Sequence, residues 1–281
     1  MRVVEDKSEL LLLASSPVVT ITVNSSVYDA MRIMVSKGFR RLPVVDPETG
    51  VLVGIITATD ILDFLTGGPR SRLLTEKYGG DLSKALGAPV SDIMVRDVVS
   101  VRVGEGLKTA VRTMVEKHVG GLPIVDEKGR AWAILTERDI VRSLAGRPSG
   151  YKVSELMSPD PVVAEPDETV AEAVRKVLSK GFRRLPLVGP KGELLGIITT
   201  MDILRHLVKA VEERRFGPEV LTAKLSDVAT KEVITIGPDE DVGRAAELMW
   251  EHGIGALPVV EPGTGRLVGI ITERDFFKLL R

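Results

Sequence analysis

The sequence predicts an α/β (α+β) protein assembled from four copies of one β-α-β-β-α unit, and three observations carry that expectation. The string Arg41-Leu42-Pro43-Val44-Val45 returns as Gly121-Leu122-Pro123-Ile124-Val125, as Arg184-Leu185-Pro186-Leu187-Val188 and as Ala256-Leu257-Pro258-Val259-Val260. Each copy is followed by an apolar run ending in Thr-x-x-Asp, at Thr57/Asp60, Thr136/Asp139, Thr199/Asp202 and Thr272/Asp275, with offsets from Pro to Asp of 17, 16, 16 and 17 residues. An apolar stripe at helical spacing precedes each Leu-Pro, as in Val27, Ala30, Met31, Met34 and Val35. Recurrence at a fixed period of tens of residues is the mark of a repeat architecture.

The elements follow in order. Val18–Val23 and its counterparts Val98–Val103, Val162–Ala164 and Val233–Ile236 are β-branched runs and read as leading strands. The stripe, with spacing i, i+3, i+4, i+7 and i+8, gives an amphipathic helix with one buried face. Gly38, Gly181 and Gly253 follow it where a helix C-terminus favours glycine. Two short strands come next, Leu42–Val45 and Leu52–Thr57 in the first repeat, and a last helix opens at Thr-x-x-Asp with Ile61, Leu62, Phe64 and Leu65 inward.

The copies are of two kinds. Repeats one and three share Ser-Lys-Gly-Phe-Arg-Arg-Leu-Pro, whereas repeats two and four place Gly120-Gly121 or Gly255-Ala256 before Leu-Pro and end in Thr-Glu-Arg-Asp. Longer connections follow the odd repeats (66–88 and 208–224), and the short joint 145–151 separates repeats two and three. A unit of this size buries little core alone. Pairing one with two and three with four covers the open sheet faces and leaves clefts for a ligand.

Composition excludes several functions. The chain of 281 residues has no cysteine, which removes disulfides, zinc–thiolate sites and cysteine nucleophiles. Its net charge of -1 and 4% aromatic content argue against nucleic acid as a partner. His118, His206 and His252 are scattered and form no metal-ligating pair, and no phosphate-loop, dinucleotide or nucleophile-elbow motif occurs. Glutamine is absent and Asn24 is the one asparagine, the depletion expected of a heat-adapted source. Leu10–Leu13, behind Glu5, Asp6 and Glu9, is too short and too acidic in its approach for a signal peptide or a membrane span, so a cytoplasmic protein is expected.

The fourfold Leu-Pro and Thr-x-x-Asp pattern resembles the CBS domain, the family named after cystathionine β-synthase, in which two tandem copies form a Bateman module. The resemblance runs from Ser16 to Leu280, and four copies with no other domain are similar in layout to the γ subunit of AMP-activated protein kinase and its archaeal relatives. It implies four CBS repeats paired into two modules. Residues 1–148 would hold CBS1 (about 16–66) and CBS2 (about 90–145), and residues 149–281 CBS3 (about 153–208) and CBS4 (about 225–280). It also implies a non-catalytic regulatory sensor of AMP, ADP or ATP, monomeric or dimeric, acting on a protein partner. The alternatives are a scaffold with empty clefts and a regulator that binds S-adenosylmethionine.

Candidate site residues have two readings each. Thr57/Asp60, Thr136/Asp139, Thr199/Asp202 and Thr272/Asp275 stand at helix starts, where the spacing suits a capping box. The family resemblance makes the same aspartates ribose ligands, with the helix N-terminus facing a phosphate. The resemblance also makes Arg40, Arg41, Arg183 and Arg184 phosphate ligands, a role suited to a planar, permanently charged guanidinium. Arg138 and Arg274 are secondary candidates because Glu137 and Glu273 can neutralise them. Trp132 and Ala133 stand where the other repeats keep Gly54, Gly196 and Gly269 beside a branched or aliphatic residue, which singles out Asp139 as the corner expected to matter least.

Overall fold

A computed structural model describes residues 9–280; Glu5 and Asp6 of the acidic N-terminal stretch lie outside the described residues. Every repeat is built on an antiparallel strand pair: Arg41–Val45 with Leu52–Thr57, Gly121–Val125 with Ala131–Thr136, Arg184–Val188 with Leu194–Thr199, and Ala256–Val260 with Leu267–Thr272. Alternate residues of the second strand are buried, the pattern of a sheet with one covered face. The helices lie where the apolar stripes predict, at Val27–Lys37, Leu107–Glu116, Val170–Lys180 and Val242–Glu251. Gly38 and Gly181 end theirs in the left-handed conformation, and in repeat two His118 takes that place at φ 53°. The closing helices are Ala58–Thr66, Glu137–Leu144 and Thr200–Glu212, while the fourth, Glu273–Leu280, is wound as a 3-10 helix.

The leading strands are shorter than the sequence suggests. Ile21–Thr22 and Val101–Arg102 add two-residue parallel strands, and repeats three and four keep single bridges, Ala164 to Leu187 and Ile236 to Val259. The missing length is used elsewhere. Each leader segment crosses to the neighbouring repeat: Ser15 bridges Ile134, Val95 bridges Ile55, Thr230 bridges Ile197, and Ser158–Pro159 pairs with Gly269 and Ile270. These exchanges run between repeats one and two and between repeats three and four, and no sequence period announces them.

The exchange also explains the glycines before Thr-x-x-Asp. A Cβ on Gly54 would collide with the Met94 side chain and press on the Val95 carbonyl oxygen, and one on Gly269 would meet Met157 and Ser158 in the same way. Repeat two carries Ala133 there, with Ala14 rather than methionine in the leader that crosses it, and both alanines are buried. Repeat three keeps Gly196 against Ala229 and the Thr230 carbonyl oxygen, so the leader backbone as well as its side chain limits the space at this position.

Helices join the two pairs of repeats. One continuous core contains Ile61, Leu62 and Phe64 of repeat one together with Val174, Ile203 and Leu204 of repeat three. Val141 of repeat two packs into the core of repeat four, and Phe277 of repeat four packs into that of repeat two. Full burial of one such side chain contributes about 1.5–3 kcal/mol. Four small units therefore close into one body with all four strand-to-helix corners turned toward its middle.

Size matching at the crossing is testable. Gly54→Ala overpacks the crossing and is expected to destabilise by roughly 1–3 kcal/mol. Adding Met94→Ala should recover part of that loss, so that a urea-denaturation double-mutant cycle shows a coupling of about 1 kcal/mol. Strictly additive effects would mean that the leader does not set the need for glycine.

Candidate functional site

At every corner the Thr backbone N–H and hydroxyl both donate to one Asp oxygen, Oδ2, at 2.6–2.9 Å. The capping box is complete in repeats one to three, repeat four has its Thr-to-Asp half, and all four leave Oδ1 for another partner. Asp202 Oδ1 pairs with Arg205 at 2.8 Å and Asp275 Oδ1 with Lys278 at 2.9 Å, both half-exposed cations one helical turn away. Asp139 has no such ion pair among the described residues, and burial pushes its carboxyl up despite the Thr136 hydrogen bonds. Asp60 Oδ1 is held by Arg70 at 2.5 Å, and the same Arg70 also approaches Asp63 at 3.4 Å.

Three corners line cavities. Thr199 and Asp202 face one of about 310 Å³, Thr272 and Asp275 one of about 450 Å³, and Thr136 and Asp139 one of about 170 Å³. Thr57 and Asp60 line none of the three. The other wall of each cavity is the leader of the paired repeat: 230–234, 158–162 and 15–19 respectively. Thr136 and Asp139 of repeat two thus line the smallest of the three cavities, and Arg70 stands at the corner of repeat one.

The cavities converge on one cluster of charge. Arg183 and Arg184 line both larger cavities; Arg40 and Arg138 line the 310 and 170 Å³ cavities; Arg41 lines the smallest and Arg274 the largest. All six arginines suggested by the sequence are brought together. Two glutamates that the sequence offers only as partners for their neighbours hold the cluster together. Arg40 Nη1 lies 2.5 Å from Glu273 and Arg138 Nε 3.4 Å from it, while Arg183 Nη2 lies 3.0 Å from Glu137 and Arg274 Nε 3.5 Å from it. Each TERD arginine thus pairs with the glutamate of the other even repeat and not with the one beside it.

The odd–even signatures now have a cause. Gly120, Gly121 and Gly255 occupy the positions where odd repeats carry arginine, and a Cβ at any of them would strike Glu137, Arg41, or Arg40 and Glu273. Odd repeats supply four of the six guanidiniums, and the glycines of the even repeats supply the space for them. Glu137 and Glu273 also begin helices, where a negative charge is favoured by the helix dipole.

Electrostatics inside the cluster are unbalanced. Burial would raise the Glu273 carboxyl, but Arg40, Arg184 and Arg138 outweigh it and hold it down at about 2. Burial, with the neighbouring arginines, lowers Arg41 to about 10 and Arg184 to about 9, so both stay protonated at neutral pH. Arg184 donates to the Gly255 carbonyl oxygen, and Arg183 Nη1 is buried with no acceptor. Six guanidiniums face the two carboxylates that bridge them, while Asp139, Asp160, Lys180 and Glu232 line the same cavities farther out.

The CBS domain profile matches residues 8–67, 90–146, 153–209 and 225–281. The chain belongs to the CBS domain family. It is 34% identical over 266 residues to the uncharacterised protein MJ1225 of Methanocaldococcus jannaschii, covering 93% of this chain and 94% of that one. The crystal structure of MJ1225, described as a candidate archaeal homologue of g-AMPK, superposes with a TM-score of 0.89 at 33% identity, over 97% of this chain and 99% of that one. A Thermofilum pendens protein of unknown role is 36% identical over 95% of this chain and 89% of its own. The γ-3 subunit of 5′-AMP-activated protein kinase from Sus scrofa is 28% identical over 68% of this chain and 38% of its own length. Among the described residues no group of side chains is arranged to hold a metal, and no helix is long and apolar enough to cross a membrane.

The glutamate anchors predict a specific acid sensitivity. A carboxyl held at about 2 in the fold, against an ordinary 4.5, supplies stability above the ordinary value and loses it as the pH falls toward 2. For Glu273 this amounts to roughly 3 kcal/mol at neutral pH, at about 1.36 kcal/mol per pKa unit. The gap between the urea midpoints of the wild type and Glu273→Gln should therefore narrow between about pH 5 and pH 2. A gap independent of pH would place Glu273 outside the ion-pair network.

Proposed function

We propose that the protein is a non-catalytic regulatory sensor of adenine nucleotides, binding AMP, ADP or ATP in the clefts between paired repeats and passing the occupancy to a protein partner. The observation that carries this reading is the convergence of three Thr/Asp-cornered cavities on a partly buried cluster in which six guanidiniums are bridged by two carboxylates. Such a cluster fits phosphate groups, since guanidinium binds them with paired, charge-assisted hydrogen bonds. Asp139 Oδ1 fits a ribose hydroxyl while Oδ2 keeps its helix cap, and at Asp202 and Asp275 the hydroxyl would share Oδ1 with the half-exposed Arg205 and Lys278. Phe39 and Phe182, half-exposed at the mouths of two cavities, and Ile254 in the third offer apolar surface to a base. The likeness to a subunit of a kinase activated by 5′-AMP supports the same class of ligand. On this reading residues 1–148 and 149–281 are the two modules, each stitched by its leader exchange.

Occupancy differs between corners. Known ligand pockets start at about 300 Å³. The corners of Asp202 and Asp275 reach that size, the corner of Asp139 is tighter, and Arg70 closes that of Asp60. A cationic ligand such as S-adenosylmethionine meets the wrong charge at this cluster. A scaffold with empty clefts has no use for a buried arginine nitrogen without an acceptor.

Calorimetry with AMP and adenosine tests the proposal. AMP is expected to bind far more tightly at low salt, and Arg183→Ala should weaken it by roughly 1.5–3 kcal/mol, the worth of a hydrogen bond to a charged group. Asp202→Asn should weaken AMP with little change in the unliganded melting temperature, because asparagine caps a helix about as well. Asp60→Asn should leave binding as it is. Equal affinities for AMP and adenosine would remove the arginines from the site and end the proposal.

A further inference from the structure

We infer that Arg142 is a positioning residue for the corner of repeat two: the N-terminal helical turn and Trp250 hold it off Asp139, which leaves Asp139 Oδ1 open to the hydroxyls of a ribose. The inference rests on the nucleotide reading and names the corner that grips the sugar. The residue three places after each corner aspartate is Asp63, Arg142, Arg205 or Lys278. That spacing puts both side chains on one helix face. Arg205 and Lys278 take the short route and hold Oδ1 of Asp202 and Asp275 at 2.8 and 2.9 Å. Repeat one carries an acid there, and Arg70 of its connection holds Asp60 Oδ1 at 2.5 Å instead. Arg142 is as long as Arg205 and begins one turn from Asp139, yet among the described residues the two form no ion pair.

Two contacts account for the diversion. Arg142 Nη2 donates to the Leu13 carbonyl oxygen at 2.7 Å, and its guanidinium carbon lies 5.3 Å from the centre of the Trp250 ring. Leu13 ends the helical turn 9–13, where a carbonyl has no partner within the helix, and the face of an indole attracts a cation. Leu10, fully buried in the core of repeat two, fixes that turn. The chain then runs on as the leader 15–19, which walls the Asp139 cavity. Asp139 shares this cavity with Arg40, Arg41, Glu137, Arg138 and Glu273. Arg138 is engaged by Glu273 and by the Gly253 carbonyl oxygen. Burial pushes the Asp139 carboxyl up, as it does for a carboxylate that no close cation offsets. At about 170 Å³ the cavity encloses less of a ligand than the other two, so one charge-assisted contact counts for more there.

The test reads the aspartate and the ligand separately on the full chain. Carbon-13 NMR of aspartate-labelled protein follows the Asp139 carboxyl, assigned with Asp139→Asn, and in the wild type it should titrate above the ordinary aspartate range. Leu10→Ala with Trp250→Leu frees Arg142 to swing onto Asp139 and should lower that titration; adding Arg142→Gln should raise it again. Calorimetry compares AMP with 2′-deoxy-AMP across the same series. The wild type should prefer AMP by on the order of tenfold at the Asp139 corner. Asp139→Asn and the release variant should lose that preference, and Arg142→Gln should restore it to the release variant. A titration that release leaves unmoved, or a loss that Arg142→Gln does not repair, would overturn the inference. AMP bound at this corner with no preference over 2′-deoxy-AMP would overturn it too, with the nucleotide reading intact. If the titrations follow the expected order while no nucleotide binds, the positioning of Arg142 stands and the nucleotide reading falls. Should the release variant fail to fold, Trp250→Leu alone, at a half-exposed ring, is expected to give the same changes at smaller amplitude.

Discussion

The structure is organised around one constraint, the placing of six arginines and two glutamates in a common interior. Like charges at close range repel strongly where water is scarce. The cluster is tolerable because each glutamate bridges two arginines from different repeats and because glycines in the even repeats clear room for the long side chains of the odd ones. Identical repeats could not do this. Four arginine-bearing copies would crowd the centre, and four glycine-bearing copies would leave it hollow. The alternation of Arg-Arg with Gly-Gly or Gly-Ala, and of Ala58 or Thr200 with glutamate, is what lets a fourfold repeat close on itself with a charged core.

The same alternation assigns separate tasks to the two ends of each cavity. At the outer end the cap uses one oxygen of the aspartate and the proposed ligand the other, so a motif that suits a helix cap is not thereby excluded from a site. At the inner end, on the proposed reading, the excess of guanidinium over carboxylate favours an anion, and burial together with the strain of neighbouring arginines lowers Arg41 and Arg184. An anion would relieve that strain and, by drawing arginines from several repeats at once, would tie the two pairs of repeats together. Ligand binding can shift the shape of a protein only through unequal affinity for its states. A cluster assembled from all four repeats is suited to that role, since any change in their relative position changes the cluster.

Much of this was legible in the sequence. Helical stripes, Leu-Pro strands and Thr-x-x-Asp corners are local patterns with local causes, and they appear in the structure where expected. Arg40, Arg41, Arg183 and Arg184 were visible at the entrance to a central strand through the family resemblance, and Arg138 and Arg274 as weaker candidates inside Thr-Glu-Arg-Asp. What escaped were effects that need two distant segments at once. Leader exchange leaves only the glycines at 54, 196 and 269 as a trace, and these suggest a close ligand as readily as a crossing strand. Arg70 looks like one more charge in a long connection, yet it reaches back to Asp60 and closes the first corner. Glu137 and Glu273 lie next to arginines in sequence and pair with others in space. Their confinement to the even repeats was the available signal, because a feature kept in alternate copies must answer something in the remaining ones.

The central claim is that phosphate binds the shared arginine cluster while ribose meets Oδ1 of a capping aspartate, the oxygen that Arg205 holds at Asp202. A crystal structure of the protein grown with AMP tests it most directly. The account predicts a phosphate within hydrogen-bond distance of Arg183 Nη1 and its ribose hydroxyls against Asp202 Oδ1, with the Thr199 cap on Oδ2 still in place. A nucleotide bound with its phosphate in solvent, or bound only after the capping box has opened, would contradict it.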